Sequence, residues 1–272
     1  MNVNAYNWSV PTSLNTNFIS GYTYNKLCKW SLCPRYEQKF DVDNLSEDDF
    51  VFLNLDHFDS FVNYLNSSKP EKKFILVTQN SDRDFTGQMF NSIKEYTSKI
   101  LAINCTFSDE MIVKIPIGFN DQSTEVLDTK DFTFIEKRNL IYMNFKLHHH
   151  SDRPVCYDYF KQFDWVDIEN NIIPVDFFYD KLNTFKYCIS PRGTGIDTHR
   201  TYESLLFGVI PIVKKSELDD LYSNFPIIIV DNWSDVTYDF LTKNYEENLS
   251  RYFQWKENNK DWYKSEFWIK KD

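Results

Sequence analysis

The chain has 272 residues, is 42% hydrophobic and carries a formal net charge of −10. That much apolar content excludes a disordered chain, and the absence of a sustained Lys/Arg run excludes a clustered-cation face for nucleic acid. No stretch reaches about 18 apolar residues, which excludes a transmembrane helix.

The opening MNVNAYNWSVPTSLN lacks a charged segment followed by an apolar run, so it does not read as a secretory signal. Five cysteines, at 28, 33, 105, 156 and 188, form no disulfide framework. A cytoplasmic protein with reduced thiols is the expectation. The aromatic content of 18% accompanies abundant Asn, Lys and Ile and is read as compositional bias, not as a sugar-stacking surface.

In chain order, DFVFLNLD (49–56), KFILVTQN (73–80), KILAINC (99–105) and MIVKIPIGF (111–119) predict strands. GQMFNSIKEYTSKI (87–100) spaces its apolar residues like a helix. A second half opens with a strand at RNLIYMNF (138–145). A helix follows at SDRPVCYDYFKQF (151–163), with Ser151 or Asp152 as N-cap and Pro154 in the first turn. WVDIE (165–169) predicts a strand, VDFFYDKLNTF (175–185) a helix and KYCISP (186–191) a strand. THRTYESLLFG (198–208) predicts a helix closed by Gly208, and VIPIVKK (209–215) and PIIIVD (226–231) are two more strands. The tail reads as two or three helices. Alternating strands and helices define an α/β chain, divided near 122–136 into lobes of residues 1–130 and 131–245, with C-terminal helices at 246–272.

One stretch concentrates the chemistry: ISPRGTGIDTHRTYESLLFGVIPIV (189–213) holds three of the chain's six glycines. A strand ending at Ser190 delivers the chain to a loop in which Gly193 and Gly195 permit positive φ and close approach of a ligand. The helix start beyond it offers unpaired N–H groups to an anion. Arg192 and Arg200 bracket that point, and guanidinium grips a diphosphate well. Glu203 lies one turn after Arg200, where a carboxylate accepts from ribose hydroxyls. The ligand implied is a nucleoside diphosphate. The plainer alternative is an i,i+3 ion pair beside an ordinary glycine loop. Neither the Walker pattern nor the G-x-G-x-x-G fingerprint is present.

The order strand, S-P-R-G, G, R-x-Y-E-S-L, x-x-G, V-I-P-I-V resembles the donor-site motif of exostosin-like glycosyltransferases (family 47 type). LIYMNFKLHHHSDR (140–153) is similar to the segment that begins the donor lobe in such enzymes. ILAINCTFSDEMIVKIPIGFND (100–121) is similar to the one that ends their acceptor lobe. The resemblance covers about residues 70 to 235.

It implies a GT-B architecture: two Rossmann-like lobes with a cleft between, and C-terminal helices crossing back to the first lobe. It implies an inverting transfer from a nucleotide sugar to a glycan hydroxyl, with no cofactor or metal required. UDP-xylose, UDP-galactose and UDP-glucuronic acid are open as donors, and so is GDP-fucose. Carried over, Arg200 holds the diphosphate and Glu203 the ribose. Ser190, Arg192, Gly193 and Gly195 line the donor, with His199 beside them at the helix start, and Asn144 and Arg153 approach the phosphates. The chain is shorter than typical two-lobe members, so its acceptor lobe is trimmed. A non-catalytic carbohydrate- or nucleotide-binding protein of the same fold is the alternative.

Other residues compete for roles. The general base of an inverting enzyme belongs at a strand end facing the donor lobe, and Asp82 is the candidate, with Asp56 or His57 second. Capping of the following helices is the simpler reading of these acids. Asp82-Arg83-Asp84 also fits the D-x-D of the other transferase fold, though Arg83 sits awkwardly beside a cation. His148, His149 and His150 are consecutive, so they read as a solvated loop and not as a metal site. Trp255, Trp262 and Trp268 read as packing residues at helical spacing.

Overall fold

The computed structural model describes residues 16–36 and 39–270. The opening segment read above for a leader therefore lies outside the described residues, as do 37, 38, 271 and 272. Two parallel five-stranded sheets form the frame. The first runs β1 (Trp30–Leu32), β2 (Phe50–Asn54), β3 (Phe74–Gln79), β4 (Thr97–Ala102) and β5 (Ile112–Lys114) in spatial order 1-2-3-4-5. The second contains β6 (Asn139–Met143), β7 (Val166–Ile168), β8 (Phe185–Ile189), β9 (Ile210–Lys214) and β10 (Ile228–Val230) in the order 10-9-8-6-7.

Parallel strands covered on both faces read as near-continuous apolar runs. β3 shows this, with five of its six residues buried. Helices make crossovers: α2 (Phe58–Ser68) and α3 (Gly87–Ile93) in the first lobe, where α1 (Gly21–Leu27) precedes β1. In the second lie α5 (Asp152–Phe160), α6 (Val175–Leu182), α7 (His199–Leu206) and α8 (Asp219–Tyr222); α4 (Thr124–Leu127) sits in the connection between the sheets. α2 buries Phe58, Phe61 and Leu65, the i, i+3, i+7 stripe of a helix lying on a sheet. The sequence reading assigned nothing to this segment or to α1 and β1.

Two expected elements end early, and one expected boundary is displaced. The helix over 87–100 ends at Ile93, because Thr97 to Ala102 pair with β3. The strand over 111–119 pairs only at Ile112–Lys114. Beyond it Pro116 offers no N–H, and Gly118 takes φ +71, so the chain leaves the sheet. The boundary at 245/246 falls inside one continuous helix, α9 (Tyr238–Asn258).

α9 is followed by α10 (Ser265–Ile269), and this tail returns to the first lobe. The Ile19 N–H donates to the Tyr263 carbonyl at 2.7 Å, and the Thr23 and Ser265 hydroxyls meet at 2.6 Å. Trp262 and Trp268 are buried against Phe225, and Trp262 also packs on Phe119. One apolar core joins both sheets, including Val77 and Leu101 of the first with Tyr142, Cys188 and Val213 of the second. No helix among the described residues is long and apolar enough to cross a membrane.

Candidate functional site

In the second sheet β6 pairs with β7 on one side and β8 on the other. The chain reverses its direction of travel across the sheet there, so the loops leaving β6 and β8 diverge and open a crevice at their carboxyl ends. A cavity of about 730 Å³ fills that crevice. Its walls are residues 144–149 after β6, 170–173 after β7, 189–191 and 193–195 after β8, and the start of α7. A smaller cavity of about 240 Å³ lies at the carboxyl ends of β2 and β3 in the first lobe. Asp82, Ile117, Asn120 and His199 line both cavities, so the two adjoin between the lobes.

The predicted residues fall into three groups. Arg200, Glu203 and Asn144 meet on the wall of the larger cavity. Arg200 Nη1 donates to Glu203 Oε2 at 3.1 Å, Nη2 donates to Asn144 Oδ1 at 3.2 Å, and Cζ lies 3.7 Å from the Phe178 ring centroid. The ion pair is therefore present, but it is built into the cavity and is not an exposed helix pair. Nε of Arg200 is buried without a hydrogen-bond partner. Glu203 Oε1 accepts from the Tyr179 hydroxyl at 3.1 Å.

The second group braces the loop. Arg153 is buried, and its Nε, Nη1 and Nη2 donate to the carbonyls of Arg192, Lys146 and Pro191. Burial, reinforced by the Arg200 charge, pulls its guanidinium down to about 10. Ser190 Oγ lies 2.9 Å from both Thr198 and Thr201 Oγ1, tying the end of β8 to α7. The two loop glycines are not left-handed; among the described residues Gly118 and Gly208 are. They serve close approach to protein. A Cβ on Gly193 would stand 3.2 Å from Arg153 Nη2, and one on Gly195 would stand 2.9 Å from Asn104 Nδ2.

The third group departs from expectation. Arg192 lines neither cavity; its charge acts on Asp84, His150 and Tyr222, and its Nε is buried and unpaired. Asp84 also lies outside both linings, so Asp82 and Asp84 do not face one space. Burial raises the Asp84 carboxyl. His148 and His149 are exposed, as the solvated-loop reading expects, and also stand at the wall of the larger cavity. Burial and the Arg153 charge lower His149. Asp56 lines the smaller cavity and accepts from Ser81 Oγ at 2.5 Å, whereas His57 precedes α2 outside both.

Beneath the junction sits a residue that the sequence reading passed over. Asp197 is 3% exposed and accepts four hydrogen bonds. They come from Ile117 N–H at 2.8 Å, Thr198 N–H at 2.9 Å, Tyr202 O–H at 2.7 Å and Tyr222 O–H at 2.9 Å. Its own N–H donates to Asn104 Oδ1 at 2.8 Å. Burial raises its carboxyl while the four donors pull the other way. The carboxylate thus uses the start of α7 itself and ties it to the first lobe. Its signal in the sequence was an acid placed immediately before a helix start, where it suits the dipole.

Among the described residues no group of three or more His, Cys, Asp or Glu is arranged to hold a metal ion. No protein-family model matches the chain, and no match is found among curated proteins. What fold and site define is a class: a two-sheet parallel α/β protein with a cavity at the topological switch point of its second sheet.

Proposed function

We propose that the chain is an inverting glycosyltransferase of GT-B architecture. It transfers a sugar from a nucleoside-diphosphate sugar, UDP-linked by motif resemblance, to a hydroxyl of a glycan acceptor. The observation that carries this reading is the cavity at the β6/β8 switch point, walled by the same stretch whose residues resemble a donor-site motif. Ligands of open α/β sheets bind at such points.

The chemistry of the walls supports it. Arg200 and Lys146 bring positive charge to one cavity, and Arg200 is held rigid by Glu203, Asn144 and Phe178. A fixed guanidinium needs no reorganisation as negative charge grows on a leaving diphosphate. Phe145, Ile172 and Ile173 supply apolar wall for a planar base. Asp82, in the loop after β3, and His199 both line the two cavities, where the proton acceptor of an inverting enzyme belongs. No metal is required on this reading.

A second reading, a nucleotide- or carbohydrate-binding protein of the same fold without catalysis, is favoured by Arg153. Three of its five guanidinium N–H groups are committed to backbone carbonyls, although it also lines the larger cavity. Titration calorimetry with UDP and GDP, with and without EDTA, tests both readings. Binding of one nucleotide that survives EDTA and is lost in Arg200→Ala and Glu203→Ala supports the donor site. Binding of neither nucleotide, or binding indifferent to both substitutions, overturns it. Release of nucleotide from a sugar donor then separates enzyme from binding protein.

A further inference from the structure

We infer that His199, and not Asp82, accepts the proton of the attacking hydroxyl; this rests on the glycosyltransferase reading above. One hydrogen bond ties this ring across the lobes. Nδ1 of His199 lies 2.8 Å from the carbonyl oxygen of Gly118. A carbonyl only accepts, so Nδ1 carries the proton. In the neutral ring Nε2 is then left with its lone pair.

The position of that ring gives the lone pair a use. His199 lines both cavities, at the one place where they adjoin. On the donor side stand Arg200 and Glu203. On the other side Arg35, Asn80, Asp121 and Gln122, with Phe119, line a small space of mixed polar and apolar wall, of a size for a hydroxyl-bearing group. A hydroxyl arriving from the small cavity to meet an anomeric carbon in the large one passes the imidazole.

The anchor of the ring is stiff on both sides. Gly118 has φ +71, and a Cβ there would stand 2.3 Å from Ile19 Cγ2, so its carbonyl is held by close packing. Its neighbour Ile117 is bonded to Asp197. Asp82 shares the junction, but its charge acts on Arg153 and His149, on the basic wall of the donor cavity.

The step balances as follows. The acceptor oxygen forms a bond to the anomeric carbon as the bond from that carbon to the diphosphate oxygen breaks. The diphosphate leaves with the bonding pair. The hydroxyl proton passes to Nε2, giving an imidazolium that later releases it to solvent.

Two substitutions separate this role from that of an interlobe strut. In His199→Asn the amide N–H occupies the Nδ1 position and keeps the Gly118 bond, but nothing stands at Nε2. In His199→Gln the amide stands at Nε2 and the Gly118 bond is lost. The assays are thermal unfolding, nucleotide calorimetry, and nucleotide release from UDP-xylose, UDP-galactose, UDP-glucuronic acid and GDP-fucose across pH. Long-range proton–nitrogen NMR on the wild type reads the tautomer.

The expected result is an Nδ1-protonated His199. His199→Asn then folds and binds nucleotide like the wild type, loses about 10²–10⁴-fold in turnover, and loses the acid limb of the pH profile. An Nε2-protonated ring overturns the proposal. So does an Asn variant that keeps turnover with its acid limb intact, while the transfer reading stands. Failure of the wild type to bind nucleotide or release it from any donor overturns the transfer reading itself, and the base assignment with it.

Discussion

Replacing Asp197 by alanine is the sharpest test of how the cleft is held together. Ile117 and Thr198 would each lose the acceptor of a backbone N–H, and Tyr202 and Tyr222 would lose the acceptor of a hydroxyl. A buried donor left unpaired costs about 1–3 kcal/mol. The hydroxyls can turn toward other partners, whereas the two amides cannot. Four donors at that cost sum to about 4–12 kcal/mol; turning of the hydroxyls and relief of the carboxylate's desolvation offset much of it, leaving about 3–5 kcal/mol. That is a large share of the roughly 5–15 kcal/mol that holds a domain folded. In urea, with a slope of about 3 kcal/mol per molar, the midpoint falls by roughly 1–2 M. Asp197→Asn keeps the volume but turns an amide N–H₂ toward one pair of donors, so an intermediate loss is expected. Nucleotide affinity, read by calorimetry, falls in the same order, because Asp197 holds the start of the helix that carries His199 and Arg200. A midpoint shift under about 0.3 M for Asp197→Ala, corresponding to less than about 1 kcal/mol, would refute the reasoning.

Three further outcomes are expected. Arg200→Ala lowers nucleotide affinity about 10- to 100-fold by calorimetry, the worth of one or two charge-assisted hydrogen bonds. Among the alanine variants of Gly118, Gly193 and Gly195, thermal unfolding ranks Gly118 worst, then Gly195, then Gly193. Their added Cβ atoms approach the nearest atoms to 2.3, 2.9 and 3.2 Å, and only Gly118 of the three is left-handed. Gly87→Ala, with nothing within 4 Å, is neutral or stabilised by about 0.5–1 kcal/mol. Lys137 supplies a pH dependence. Its Nζ is buried against the Asn183 carbonyl, Asn183 Oδ1 and the Phe207 carbonyl, and burial pulls it from 10.5 to about 7. Between those two values the unfolded chain holds a proton that the folded chain does not. Stability therefore rises with pH across that window, by up to about 5 kcal/mol, and denaturant midpoints should show a slope that Lys137→Met abolishes.

Much of the fold was legible in local pattern. β3 and β8 are apolar runs of strand length that end in polar or proline-containing loops, and α7 ends two residues before a left-handed glycine. The helix at 58–68 was passed over because its polar residues, Asp59, Ser60, Asn63 and Asn66, dilute a stripe that only the sheet beneath makes decisive. The strand over 111–119 was overextended because apolar content alone does not reveal where a partner strand stops.

For the site, residue types along 189–213 pointed to an anion-gripping loop without any coordinates, since arginines, glycines and a helix start carry their chemistry locally. Which of them face the cavity is a matter of distance in space. The tertiary structure turned Arg192 away, spent Arg153 on three carbonyls and set Gly195 against Asn104. It also brought Gly118, 81 residues earlier in the chain, to His199, and gave Asp197 its four donors from three separate segments. Local sequence determines backbone preference and the charge a residue can offer. Only long-range packing decides which buried polar groups meet, because each must find its partner wherever the two sheets close on one another.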